Sequence, residues 1–149
     1  MRNQLRLFFF ILLINIIQSS NLRNLVSPKI TEGIINYKNG EKYEGHIKND
    51  LRDGQGSYIY KASKKYEKYE GQWKEGKKHG KGNLLFKNGD NYIGEFKYGK
   101  REGNGEYICS DGDKYIGDFK QNKKEGKGIF YYNNGKIEIG NYLNDEKIN

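Results

Sequence analysis

Proline, cysteine and long apolar runs are nearly missing from this sequence, and each scarcity excludes something. Pro28 is the only proline and precedes every periodic feature, so a downstream sheet loses no ladder donor to proline. Cys109 is the only cysteine, which excludes an internal disulfide and leaves bonding without a compartment signal. Hydrophobic residues make up 34% of the chain and charged residues 31%, too little apolar material for a thick globular core. The longest apolar run, Leu7 to Ile17, is interrupted by Asn15; its eleven residues fall short of the about 20 that a helix needs to cross a bilayer. Arg2 and Arg6 precede it and Ser19-Ser20 follow, so it fits the core of a secretory signal cleaved near Ser20, with an uncleaved anchor or a mis-set start as the other readings. Residues 1–20 are therefore a signal peptide or apolar leader helix, and residues 21–32 a linker. A functional signal predicts entry to the endomembrane system; otherwise the chain is expected in the cytoplasm, beside membranes or cytoskeleton.

Glycine and tyrosine are abundant instead, with 20 and 13 copies, and their placement is periodic. Tyr69, Tyr92 and Tyr115 open three consecutive segments of 23 residues, 69–91, 92–114 and 115–137. Each continues with a glycine (Gly71, Gly94, Gly117), a ring (Trp73, Phe96, Phe119), a G-x-G pair (Gly80/Gly82, Gly103/Gly105, Gly126/Gly128) and a last glycine (Gly89, Gly112, Gly135). A fixed period of this size marks a repeat architecture in which each unit packs on its neighbours. Residues 43–68 form a longer copy that keeps Tyr43, Gly45, Gly54 and Gly56, has Ile47 in place of the ring, and carries three extra residues that lengthen its final turn. Residues 33–42 and 138–149 read as half repeats, so the repeat domain spans 33–149.

Within a repeat, apolar and glycine positions alternate, which is the strand period. Tyr69, Gly71 and Trp73 share one face; Gly80, Gly82, Leu84 and Phe86 share a face of the next strand. A hairpin closed by the polar segment Lys74–His79 sets Tyr69 opposite Leu84, Gly71 opposite Gly82 and Trp73 opposite Gly80, a large ring against a bare backbone. The second turn, Lys87-Asn88-Gly89-Asp90, keeps the rings on one face only as a three-residue loop with Gly89 left-handed. One face then carries rings and the other Lys, Glu and Asp.

The segment YEGQWKEGKKHGKGNLLFKNGDN, residues 69–91, resembles the MORN repeat, whose pattern is close to YEGEWxxGxxHGxGxxxxxxGxx. The resemblance covers residues 33–149; Ile47, Cys109 and Glu138 depart from it, Cys109 as a small apolar residue on the packed face. It implies an all-β, single-layer antiparallel meander of hairpins forming an elongated ribbon. Family members commonly serve as interaction modules near membranes or the cytoskeleton and often dimerise. The resemblance therefore implies a non-catalytic scaffold with a protein partner or a second copy of itself.

Two groups of residues are candidates for contact. The rings Tyr69, Trp73, Tyr92, Phe96, Tyr115 and Phe119 lie on the face that a single layer leaves open to a partner. Basic residues recur in the first loop: Arg52, then Lys77/Lys78, Lys100/Arg101 and Lys123/Lys124. With the net charge of +8 they read either as solvated turn residues or as a stripe for anionic lipid, about 10 Å between successive pairs. Glu75, Glu102 and Glu125 offset part of that field. Gly71–Lys78 and Gly94–Arg101 carry P-loop glycine spacing, but Lys78 and Arg101 stand where a magnesium-binding Ser or Thr is required. His46 and His79 occupy different repeat positions without metal-ligand spacing. No catalytic set, cofactor, metal or nucleic acid is expected.

Overall fold

The computed structural model describes residues 29–148. The expected leader helix, the signal peptide and most of the linker lie outside the described residues. Eleven strands form one antiparallel sheet in strict sequence order. They are β1 (Thr31–Asn36), β2 (Lys42–Lys48), β3 (Leu51–Ile59), β4 (Tyr66–Lys74), β5 (Lys77–Phe86), β6 (Asn91–Lys97), β7 (Lys100–Ile108), β8 (Lys114–Lys120), β9 (Lys123–Tyr131), β10 (Ile137–Leu143) and β11 (Glu146–Lys147). No helix occurs among the described residues.

Two kinds of turn alternate along the meander. Between repeats the loop has three residues: Phe86 N donates to Asp90 O at 2.9 Å and Gly89 sits at φ 89°, as its left-handed role requires. Tyr92 consequently pairs with Leu84 and the ring face is kept. The first full repeat closes instead through Tyr60 N to Glu67 O, so its extra residues do lengthen that turn. Inside each repeat the turn is tighter than the sequence suggests. Lys74 pairs directly with Lys77, leaving only Glu75 and Gly76 between them at φ 48° and 78°. Two positive φ values describe a type I′ turn, whose twist matches that of the flanking strands.

This turn corrects the expected pairing of Trp73. Trp73 faces Lys78, not Gly80, because β5 bulges between Lys78 and Gly82 with Gly80 at φ 57°. Gly80 faces Phe96 of the following repeat, as Gly54 faces Trp73 and Gly103 faces Phe119. The ring-on-glycine pairing exists, but it joins neighbouring repeats rather than the two strands of one.

The remaining strand glycines form a continuous line across ten strands: Gly33, Gly45, Gly56, Gly71, Gly82, Gly94, Gly105, Gly117, Gly128 and Gly140. The opening tyrosine of each repeat lies flat over this line. A Cβ at Gly82 would stand 2.4 Å from Tyr69 Oη, and one at Gly105 2.4 Å from Tyr92 Oη. Each hydroxyl ends on a backbone carbonyl: Tyr43 donates to His46 O at 2.7 Å, Tyr69 to Gln72 O at 2.9 Å and Tyr92 to Glu95 O at 3.0 Å. Rings of two repeats then clasp Tyr69 and Tyr92 edge to face. Tyr92 touches Phe96 of its own repeat (centroids 5.2 Å) and Phe119 of the next (5.0 Å); Tyr69 touches Trp73 (5.0 Å) and Phe96 (5.1 Å). A single sheet thus builds its own core, which is one ring thick.

The opposite face is not uniformly polar. Ile93, Ile116 and Ile139 are exposed there in the C-terminal half, where Glu44 and Glu70 hold the equivalent places in the N-terminal half.

Candidate functional site

The six rings expected to meet a partner are buried. Tyr69 and Tyr92 are 0% exposed, Tyr115 1%, Phe96 3%, Phe119 4% and Trp73 5%. Neighbouring repeats seal these rings against one another, so they form the floor of the ring face and leave little of themselves for a ligand.

What lies over that floor is basic. Two residues adjacent in a strand point to opposite faces, so each basic pair divides. Lys77, Lys100 and Lys123 are exposed and turn away from the rings. They stand opposite Lys74, Lys97 and Lys120 in like-charged cross-strand pairs. Lys78, Arg101 and Lys124, with Arg52, turn onto the ring face. Here they alternate with rings across the sheet: Arg52, Trp73, Lys78, Phe96, Arg101, Phe119, Lys124, Tyr142.

Each of these cations rests on π-faces. Arg52 lies 4.3 Å from the Trp73 ring centroid and 4.8 Å from that of Tyr58. Lys78 Nζ stands 4.7 Å from Tyr66 and 5.5 Å from Phe96; Arg101 stands 5.2 Å from Tyr107 and 5.3 Å from Phe119. Lys124 Nζ lies 5.2 Å from Phe130 and 5.4 Å from Tyr142. A cation at such range is attracted by the ring quadrupole. Two of them also donate to the next turn, Arg52 to Gly76 O at 2.6 Å and Arg101 to Asn122 O. Among the described residues none of the four joins an ion pair; the ion pairs engage Lys42, His46, Lys68, Lys114, Lys136 and Lys147 instead. Lys78 is the extreme case. It is 9% exposed, and burial pushes its ammonium down to about 8, with Arg101, Lys65 and Arg52 pressing the same way. Arg101 stands between two clefts, one of about 390 Å³ reaching Lys124 past Tyr107 and Phe119, the other of about 330 Å³ reaching Lys65 past Phe86.

Carboxylates near the basic pairs also accept backbone hydrogen bonds. Glu102 accepts from Gln121 N at 3.0 Å, Glu125 from Asn144 N at 3.2 Å, and Asp53 from Glu75 N at 3.1 Å. Each ties one tight turn to the next. At the other end of the strands Asp90 accepts from Tyr107 Oη at 2.6 Å and Ser110 N at 2.9 Å. Burial alone would push the Asp90 carboxyl up, but hydrogen bonds from Tyr107, Ser110 and Asn88 outweigh it and hold the group below the usual carboxylate range. A folded pKa below the unfolded one means stability that is present above about pH 4 and is lost as pH falls through the folded value. Asp90→Asn should therefore flatten the acid limb of the stability curve, read as the urea midpoint from pH 5 downward. An unchanged acid limb would show that Asp90 contributes nothing to it.

A family model for the MORN repeat matches residues 43–62, 69–91, 92–114 and 115–137, together more than half of the chain. The match pauses where the lengthened turn of the first full repeat stands. No curated protein matches the chain.

Proposed function

Because the chain belongs to the MORN-repeat family, we propose that it is a non-catalytic scaffold that binds a protein partner, or a second copy of itself, beside a membrane or the cytoskeleton. The observation that carries this reading is the ring face: an alternating row of aromatic and basic side chains, continuous over successive repeats and without a second layer above it among the described residues. A basic surface of this extent, floored by rings, is suited to an acidic, polar partner. Self-association has its own place. β11 pairs only with Tyr142 and Leu143, which among the described residues leaves the outer edge of Ile137–Gly140 open to another strand. Proximity labelling with a tag at the C-terminus of the full chain tests the scaffold reading, and recovery of no protein neighbours would sink it. Analytical ultracentrifugation tests the self-association; a strict monomer at high micromolar concentration removes the homodimer.

A second reading is direct binding of anionic membranes, and the like-charged lysine pairs favour it. Lys74/Lys77, Lys97/Lys100 and Lys120/Lys123 place like-charged residues opposite one another in the sheet, which costs stability unless an anion offsets it. On this reading Lys77, Lys100 and Lys123 contact headgroups and the ring-face cations do not. Co-sedimentation with phosphatidylserine vesicles should fall for the triple change Lys77→Glu, Lys100→Glu, Lys123→Glu; undiminished co-sedimentation refutes it. The leader decides the compartment: cleavage near Ser20 carries the repeats into the secretory pathway, while a chain that still begins at Met1 and is recovered in the cytosolic fraction places them in the cytoplasm.

A further inference from the structure

We propose that Arg52, Lys78, Arg101 and Lys124 read the acidic side chains of a partner helix laid along the ring face, one carboxylate per heptad. The inference deepens the scaffold reading and rests on it, since it names the chemistry of the segment that docks.

Charge complementarity points to an acidic partner. Four cations face the same way, and none joins an ion pair among the described residues. The most buried of them, Lys78, is 9% exposed and its ammonium rests on rings, without a hydrogen-bonded or ionised acceptor among the described residues. A buried ammonium without an anion is unfavourable to the fold by itself, so its counter-charge is best supplied from outside.

Spacing selects the shape of that partner. The four cations lie on β3, β5, β7 and β9, two strands apart each time. Two strand separations are about 9.6 Å. Residues on one face of an extended peptide recur about every 6.8 Å, which falls out of step after one contact. A helix rises about 10.5 Å per heptad, and every seventh residue returns to nearly the same side. A carboxylate at each heptad therefore meets successive cations, and the apolar residues beside it can reach the half-buried Tyr66, Tyr107 and Phe130 between them.

The test uses the full chain and a labelled helical peptide of about 28 residues bearing Glu at every seventh position. Two control peptides carry Gln at those places, or the same Glu residues at every fifth position. Fluorescence anisotropy should show the heptad Glu peptide binding about tenfold tighter than either control. The pair Lys78→Met and Arg101→Met should remove that advantage, whereas Lys81→Met with Lys127→Met, equal in charge but exposed on the other face, should not. A retained cooperative melt shows that the first pair still folds. If it does not, the peptide comparison on the unmodified chain still decides the matter. Equal binding of the Glu and Gln peptides overturns the proposal while leaving ring-face docking in place. Binding of neither peptide also overturns it, and the scaffold reading then falls only if proximity labelling recovers no protein. Binding of phosphatidylserine vesicles that Lys78→Met with Arg101→Met abolishes would overturn it in favour of a lipid ligand.

Discussion

Gly105→Ala should lower the melting temperature by about 10 °C, from a loss of about 2–3 kcal/mol. The added methyl would stand 2.4 Å from Tyr92 Oη and 2.5 Å from Tyr92 Cε2, closer than any real Cβ contact. Tyr92 cannot move aside. It is 0% exposed, its hydroxyl is bonded to Glu95 O, and Phe96 and Phe119 hold it from both sides. The backbone at Gly105 is not left-handed, so the expected loss is purely one of space. Gly99→Ala provides the contrast: nothing lies within 4 Å of its Cβ, and its φ of 89° leaves only a conformational cost of about 1–2 kcal/mol. Thermal unfolding of both variants with the Tyr92→Ala and double changes completes the measurement. Tyr92→Ala alone should cost about 3–5 kcal/mol, and the double variant should lose less than the sum, because the alanine at Gly105 no longer meets a ring. Strict additivity would show that the tyrosine does not lie over the glycine line.

Lys78→Met should have the opposite sign, a gain of about 1–2 kcal/mol at pH 7 in the urea midpoint. Methionine fills the same volume without a charge to desolvate, and it keeps its contact with the rings of Tyr66 and Phe96. The pH dependence supplies a second reading of the same effect. Lys78 has a folded pKa of about 8, below the usual lysine range. Between that value and about pH 10 the unfolded chain holds the proton and the folded chain does not, so this group makes stability rise with pH. The rise should be present in the unmodified chain and missing in the variant. A destabilised Lys78→Met would mean that attraction to the rings exceeds the desolvation cost. The pairing of a more stable fold with a weaker acidic partner is the signature expected of a side chain retained for binding.

The repeats were legible from one dimension. The 23-residue period, the alternation of Tyr, Gly and ring, and the Asn-Gly and Asp-Gly turns determined a hairpin meander with its rings on one side, and Gly89 at φ 89° is where that pattern required it. These features are local: they depend on turn chemistry and on the period of two, which residues a few positions apart decide. The choice of faces for the basic pairs was decided by tertiary structure. A tight turn at Glu75-Gly76 and a bulge at Gly80 shift the register inside each repeat, and a shift of register changes which side chain meets which. The same shift carried the glycine facing Trp73 into the preceding repeat. Burial was decided there too. Tyr92 is sealed by Phe119 from 27 positions further along the chain, and Lys78 is desolvated by rings from the strands on either side, β4 and β6. Sequence by itself determined the unit and its periodicity, because those rest on neighbouring residues. Which residues lie inside, and which cations face the rings, depended on the packing of one repeat against the next.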